Sequence, residues 1–167
     1  GDLDKDDSYE IAILYQNEEM IENRLRIMRV AKNKVSRIDE KIFPQGVDPY
    51  SIAIGNIYDD EEVIFVDSFS GIYEGRTDIF FFKDKKIKDI EDYKGFKLSD
   101  KSFPVQTKDV DSDGIMEVGI PFSPPDNDQL YDPLKPWVKS YYKINKDSTM
   151  SLVKQIYEDY KMSFLFE

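Results

Sequence analysis

"RIMRVAKNKVSRID", residues 26–39, lies over "DIFFFKDKKIKDIE", residues 78–91, without a gap. Each copy is an apolar or aromatic segment, a short polar turn and an alternating segment, which is the pattern of a β-hairpin. "SYYKINKDSTMSLVK" (140–154) repeats it with one extra residue in the turn. The expected turns are Lys32-Asn33-Lys34, Asp84-Lys85-Lys86 and Asn145-Lys146-Asp147-Ser148. Three hairpins of one design within a single chain point to a repeat architecture.

The segments before each hairpin agree. "EIAILYQ" (10–16), "EVIFVDS" (62–68) and "EVGIPFS" (117–123) each read as an acidic residue, a mostly apolar run and a polar residue. The anchors Glu10, Glu62 and Glu117 lie about fifty residues apart, the spacing of a propeller blade or similar unit. "YSIAIGNI" (50–57) and "FPVQTKDV" (103–110) each lead into the next anchor. The expected fold is therefore all-β: a single repeat domain over 1–167, with blade-like units of antiparallel strands at approximately 2–53, 54–108 and 109–167. These form a partial or open propeller-type array, and "YKMSFLFE" (160–167) is the expected closing strand. "EEMIENRLRIMRV" (18–30) has some helical periodicity, but the match to the second copy predicts strand from Leu25 onward and a turn or short helix over 18–24. "IFFF" (79–82) and Tyr141-Tyr142 read as sheet packing.

Two units open on alternating acids. One carries Asp109, Asp111, Asp113 and Glu117, the other Asp2, Asp4, Asp6 and Glu10, in both cases at the first, third, fifth and ninth positions. Carboxylates this close disfavour one another unless a cation or solvent relieves them. Calcium takes six to eight oxygens, and a tight loop can aim alternate side chains at one centre. A sharp turn after the third Asp would bring in the backbone carbonyl of the seventh residue, Ser8 or Ile115. Gly114 suits that turn, and Asp7 stands in its place in the first loop. Leu3 and Val110 are expected to anchor the loops to the core. An EF-hand is excluded, because its twelfth position needs a bidentate Glu between helices, and here that position is Ile13 or Ile120. The expectation is one or two Ca2+ ions. The middle unit, "GNIYDDEEV" (55–63), lacks the alternation and is expected to bind none.

At these residues, "DVDSDGIMEVGIP" and "GDLDKDDSYEIAIL", the sequence resembles the calcium loops of FG-GAP/VCBS-type repeats, which build propeller blades in integrin α-subunits and in bacterial extracellular proteins and lipoproteins. The resemblance implies blades of four antiparallel strands, calcium held by Asp109, Asp111, Asp113 and Glu117 and by Asp2, Asp4, Asp6 and Glu10, and binding or adhesion rather than catalysis. It also implies an extracellular or cell-surface location, lipid-anchored in some full-length relatives. Propellers close with about four to eight blades, so three units leave blade faces to be covered, by further blades of a longer chain or by a second copy.

Composition narrows the alternatives. The 167 residues contain 23 Lys+Arg against 34 Asp+Glu, a net charge of −11, which repels nucleic acid. There is no cysteine or histidine, so disulfides, thiolate and Ser-His chemistry and the usual zinc ligand sets are excluded. No apolar run is long enough to span a membrane, and no signal peptide is visible. The partner expected is a protein or a glycan, bound through inter-strand loops. The alternative function is a carbohydrate-active enzyme or accessory domain, with acids in a cleft: Asp59, Asp60, Glu61 and Glu62, or the stretch 66–78 with Asp67, Ser68, Tyr73, Glu74 and Arg76. "PFSPPDNDQLYDPLKPW" (121–137) carries five prolines and cannot be regular strand throughout. Tyr131 and Trp137 are candidate aromatic anchors of a recognition loop, but the favoured reading of Trp137 is core packing at the start of its strand.

Overall fold

The structure, a computed structural model, describes residues 2–17, 22–31, 34–58, 61–70, 74–90, 96–97, 105–122, 137–147 and 149–158. Among them there is no helix, and none long and apolar enough to cross a membrane. The strands are β1 (Tyr9–Asn17), β2 (Glu22–Ala31), β3 (Lys34–Ile42), β4 (Val47–Tyr58), β5 (Glu61–Ser70), β6 (Glu74–Lys83), β7 (Lys86–Asp89), β8 (Phe96–Lys97), β9 (Gln106–Lys108), β10 (Glu117–Phe122), β11 (Trp137–Ile144) and β12 (Met150–Glu158). They form three antiparallel sheets, none closed into a barrel: β1-β2-β3, then β4-β5-β6-β7 with β8 added to β6, then β9-β10-β11-β12. The chain is all-β, an open array of blade-like sheets. Residues 22–24 belong to β2, while 18–21 and the 160–167 segment lie outside the described residues.

The hairpins lie where the sequence places them. Lys83 pairs with Lys86 across Asp84 and Lys85, whose φ values of 53° and 59° make the left-handed two-residue turn that matches strand twist. Ala31 pairs with Lys34, with Lys32 and Asn33 outside the described residues. The third turn is longer, closed by the Asn145 amide donating to the Thr149 carbonyl at 2.8 Å. The first and third hairpins also share a bulge, between Ile27 and Met28 and between Tyr141 and Tyr142. Sheet membership runs one strand ahead of the sequence units, because β4 pairs with β5 and β9 with β10.

The sheets stack face to face. Leu25 and Ile27 of the first sheet pack with Ile64, Val66, Phe80 and Phe82 of the second in one core. Val63, Phe65 and Ile79 of the second pack with Val118, Ile120 and Ile144 of the third in another. The second sheet is thus covered on both faces, which is why "EVIFVD" and "IFFF" are apolar at consecutive rather than alternate positions. Tyr141 is buried beside Gly119, where a Cβ would stand 2.5 Å from the Tyr141 ring. Outer strands β3 and β7 are tied by Asp39, which accepts the Ile87 amide at 2.8 Å and pairs with Lys86 at 3.1 Å.

Register also shows what the first sheet leaves uncovered. Ile11 pairs with Met28, Ile64 with Phe80 and Val118 with Tyr142, so these pairs occupy one position in the three sheets. At this position and the next, Ile64, Val66, Val118 and Ile120 are at most 1% exposed, each buried against the preceding sheet. Their counterparts Ile11 and Ile13 are 46% and 41% exposed. Beside them, Glu40 accepts Arg24, Arg26 and Tyr15. Desolvation alone would raise its pKa, but these hydrogen bonds hold the carboxyl down to about 2.

Candidate metal centre

The two acidic loops are one structure made twice. Asp2 accepts the amides of Asp6 and Asp7 at 3.0 and 2.9 Å; Asp109 accepts those of Asp113 and Gly114 at 3.2 and 3.0 Å. Asp6 accepts Ser8 N at 3.1 Å, and Asp113 accepts Ile115 N at 2.9 Å. Glu10 reaches back to Leu3 N at 3.0 Å, and Glu117 to Val110 N at 2.8 Å. Positive φ falls at Lys5 and Asp7 in one loop and at Ser112 and Gly114 in the other. Gly114 and Asp7 therefore take the left-handed turn that the spacing requires. Leu3 is in the core at 6% exposure, whereas Val110 is only half-buried.

This geometry gathers carboxylates. Oxygens of Asp2, Asp4 and Asp6 lie within 4.8 Å of one another, as do those of Asp109, Asp111 and Glu117. Asp113 and Glu10, expected as ligands from the spacing, are not among these closest sets. Burial, then the charges of Glu10 and Asp6, raise the Asp4 pKa against the pull of Arg29. Burial likewise raises that of Glu117, with Asp111 and Asp113 adding to it. In each loop one acid is thus pushed up by burial and by its neighbours' charge.

The sequence reading missed the basic residue across from each glutamate. Glu10 pairs in register with Arg29. Its counterpart Glu117 lies one step beyond the Val118–Tyr142 pair, opposite Lys143. Arg29 bridges Asp4, Asp6 and Glu10 at 3.1, 3.0 and 2.8 Å. Lys143 bonds Asp113 and lies 3.7 Å from Asp111 and 3.9 Å from Glu117. The hydrogen bond to Lys143, then the Ile115 amide, hold Asp113 below its usual pKa. Lys143 does not satisfy the loop: Glu117 is 0% exposed and its Oε1 has no hydrogen-bond partner. A buried carboxylate with one orphaned oxygen, gathered with two further acids, fits an oxygen-coordinated cation. The signal was available, since Arg29 and Lys143 hold the same place in the aligned hairpin segments that begin at 26 and 140, where the middle copy, beginning at 78, has Phe81.

In the middle sheet the register overturns one equivalence. Ile64 pairs with Phe80, so Val63, not Glu62, occupies the place of Glu10 and Glu117, and it is buried in the core. The sequence match slipped because Glu61 and Glu62 are adjacent and either can serve as an anchor.

The other candidates separate. Asp67 is 1% exposed and accepts Thr77 Oγ1 at 2.7 Å, Thr107 Oγ1 at 2.7 Å and Thr107 N at 3.0 Å. It joins the second and third sheets, and Ser68 beside it is buried too. Arg76 pairs with Asp78. Tyr73 and the side chain of Glu74 lie outside the described residues, as do Asp59, Asp60, Tyr131 and the side chain of Trp137. Glu61 and Glu62 line a cleft with Leu3, Asp4, Phe81 and Lys83. Its volume is about 160 Å3, against roughly 300–1,000 Å3 for a typical small-molecule site. No protein-family model matches the chain, and no curated protein matches it.

Proposed function

We propose that the chain is a calcium-stabilised, non-catalytic binding module of FG-GAP/VCBS type, working outside the cell or at its surface. One observation carries the calcium assignment: Glu117, whose Oε1 is buried and unpartnered, brings a carboxylate oxygen within 4.8 Å of those of Asp109 and Asp111. Asp109, Asp111, Asp113 and Glu117 are the side chains that would hold the ion, with the Ile115 carbonyl as a backbone ligand. Calcium there neutralises the carboxylates and fixes the entry to β10. Loops of this kind load where calcium is millimolar, which supports an extracellular setting. A protein or glycan partner binds on the loops and on the faces that the array leaves open.

A thermal melt tests the calcium assignment. A hundredfold excess of calcium over its dissociation constant stabilises by about 2.7 kcal/mol, raising the melting temperature of a chain this size by roughly 5–10 °C. Magnesium should do less, and Glu117→Gln should abolish the rise. A melt unchanged between chelator and excess calcium would sink the assignment.

The uncovered face of the first sheet supports a partner role. The same positions in the other two sheets are buried against a sheet of this chain, and the occupant proposed for the first sheet is a sheet of a second copy. The sedimentation coefficient of the wild type should rise with concentration, and Ile13→Lys should remove that dependence. A monomer at all concentrations would exclude the second copy.

A further inference from the structure

Each acidic loop carries a cation from its own sheet, and we infer that the two differ in whether a metal ion can replace it. Lys143 is an exchangeable occupant of the Asp109 loop; Arg29 is a permanent one in the Asp2 loop. The chain therefore takes one ion, not two. This rests on the calcium reading of the Asp109 loop given above.

The argument begins with register. Arg29 and Lys143 stand opposite Glu10 and Glu117, and the middle sheet has Phe81 and Val63 at that crossing. Acid and base are present together or absent together. The two bases then hold their loops differently. A guanidinium is a planar fork of donors, suited to several carboxylates at once. Arg29 uses Nε and Nη2 on Glu10 at 2.9 and 2.8 Å and still reaches Asp4 and Asp6. Removing it would strip hydrogen bonds from three carboxylates, one of them 2% exposed.

An ammonium is a point charge on a flexible, well-hydrated stem. Lys143 makes its hydrogen bond to Asp113, on the exposed side of the loop. At 3.7 and 3.9 Å it is beyond hydrogen-bonding distance of Asp111 and Glu117. The buried Glu117 Oε1 remains without a hydrogen-bond partner. An ion entering there gains the ligands that Lys143 does not use, while Lys143 gives up its one hydrogen bond and swings out to water. A competitor that occupies the site lowers apparent affinity by the fraction of time the site is free.

Calcium titration with ion counting by native mass spectrometry tests this on the whole chain. Wild type should bind one ion. Lys143→Met should bind one ion about tenfold more tightly, since its site is always free. Lys143→Arg, which installs the fork, should weaken binding by about tenfold or more. Arg29→Lys should add a second, weaker ion. Circular dichroism matching wild type certifies folding, and the two conservative swaps suffice if Lys143→Met fails to fold. Two ions in wild type, or equal affinities across the Lys143 series, would overturn the exchange and leave the calcium reading standing. No ion in any variant would overturn both.

Discussion

Phe80→Ala is expected to lower the unfolding free energy by about 4 kcal/mol, at the upper end for a core truncation. Phe80 is 1% exposed and sits in the core that joins the first two sheets. Phe43 meets its ring edge-on at 6.0 Å, and Lys41 lies 5.1 Å from its centroid. The facing side chains stand on several strands of two sheets and cannot collapse together into the space left. Denaturant unfolding should show a lower midpoint with an unchanged slope. A loss under about 1 kcal/mol would place Phe80 at a surface and contradict the stacking of the two sheets.

Asp67→Ala carries the second large effect, a loss of about 3 kcal/mol from three buried donors left without an acceptor. Those donors are the Thr77 hydroxyl and the hydroxyl and amide of Thr107. They belong to β6 and β9, so the carboxylate joins two sheets. Asp67→Asn keeps an acceptor oxygen and should cost less. This separates the structural role from the alternative that Asp67 belongs to an enzyme cleft. A cleft residue would change stability within about 0.5 kcal/mol while turnover fell.

Much of the fold was legible because hairpins write themselves locally. The turn at Asp84-Lys85, the alternation around it and the doubly apolar "IFFF" depend on near neighbours. The acidic loops were legible for the same reason: each closes on itself within nine residues, through Asp2 or Asp109 at one end and Glu10 or Glu117 at the other. What the sequence hid is what strands do across distance. Nothing local says that β4 leaves the first hairpin to join β5, or that Asp67 is closed off by Thr107, forty residues on. The one-residue slip at Glu62 has a related cause, since a strand shifted by one residue turns every side chain to the other face. Only pairing with β6 shows that Val63 takes the inward place. Arg29 and Lys143 recur at aligned places in their hairpins, but charged residues within a strand read as its solvent face until register sets them against the loop.

The most direct measurement is a crystal structure grown in millimolar calcium, with anomalous difference density used to place the ion. The account predicts one peak, in the Asp109 loop, ringed by oxygens of Asp109, Asp111, Asp113, Ile115 and Glu117 at about 2.3–2.6 Å. Lys143 should be turned away from it, and Arg29 should still bridge Asp4, Asp6 and Glu10. An empty Asp109 loop with Lys143 still on Asp113 would contradict the central claim and leave the acids as turns neutralised from within.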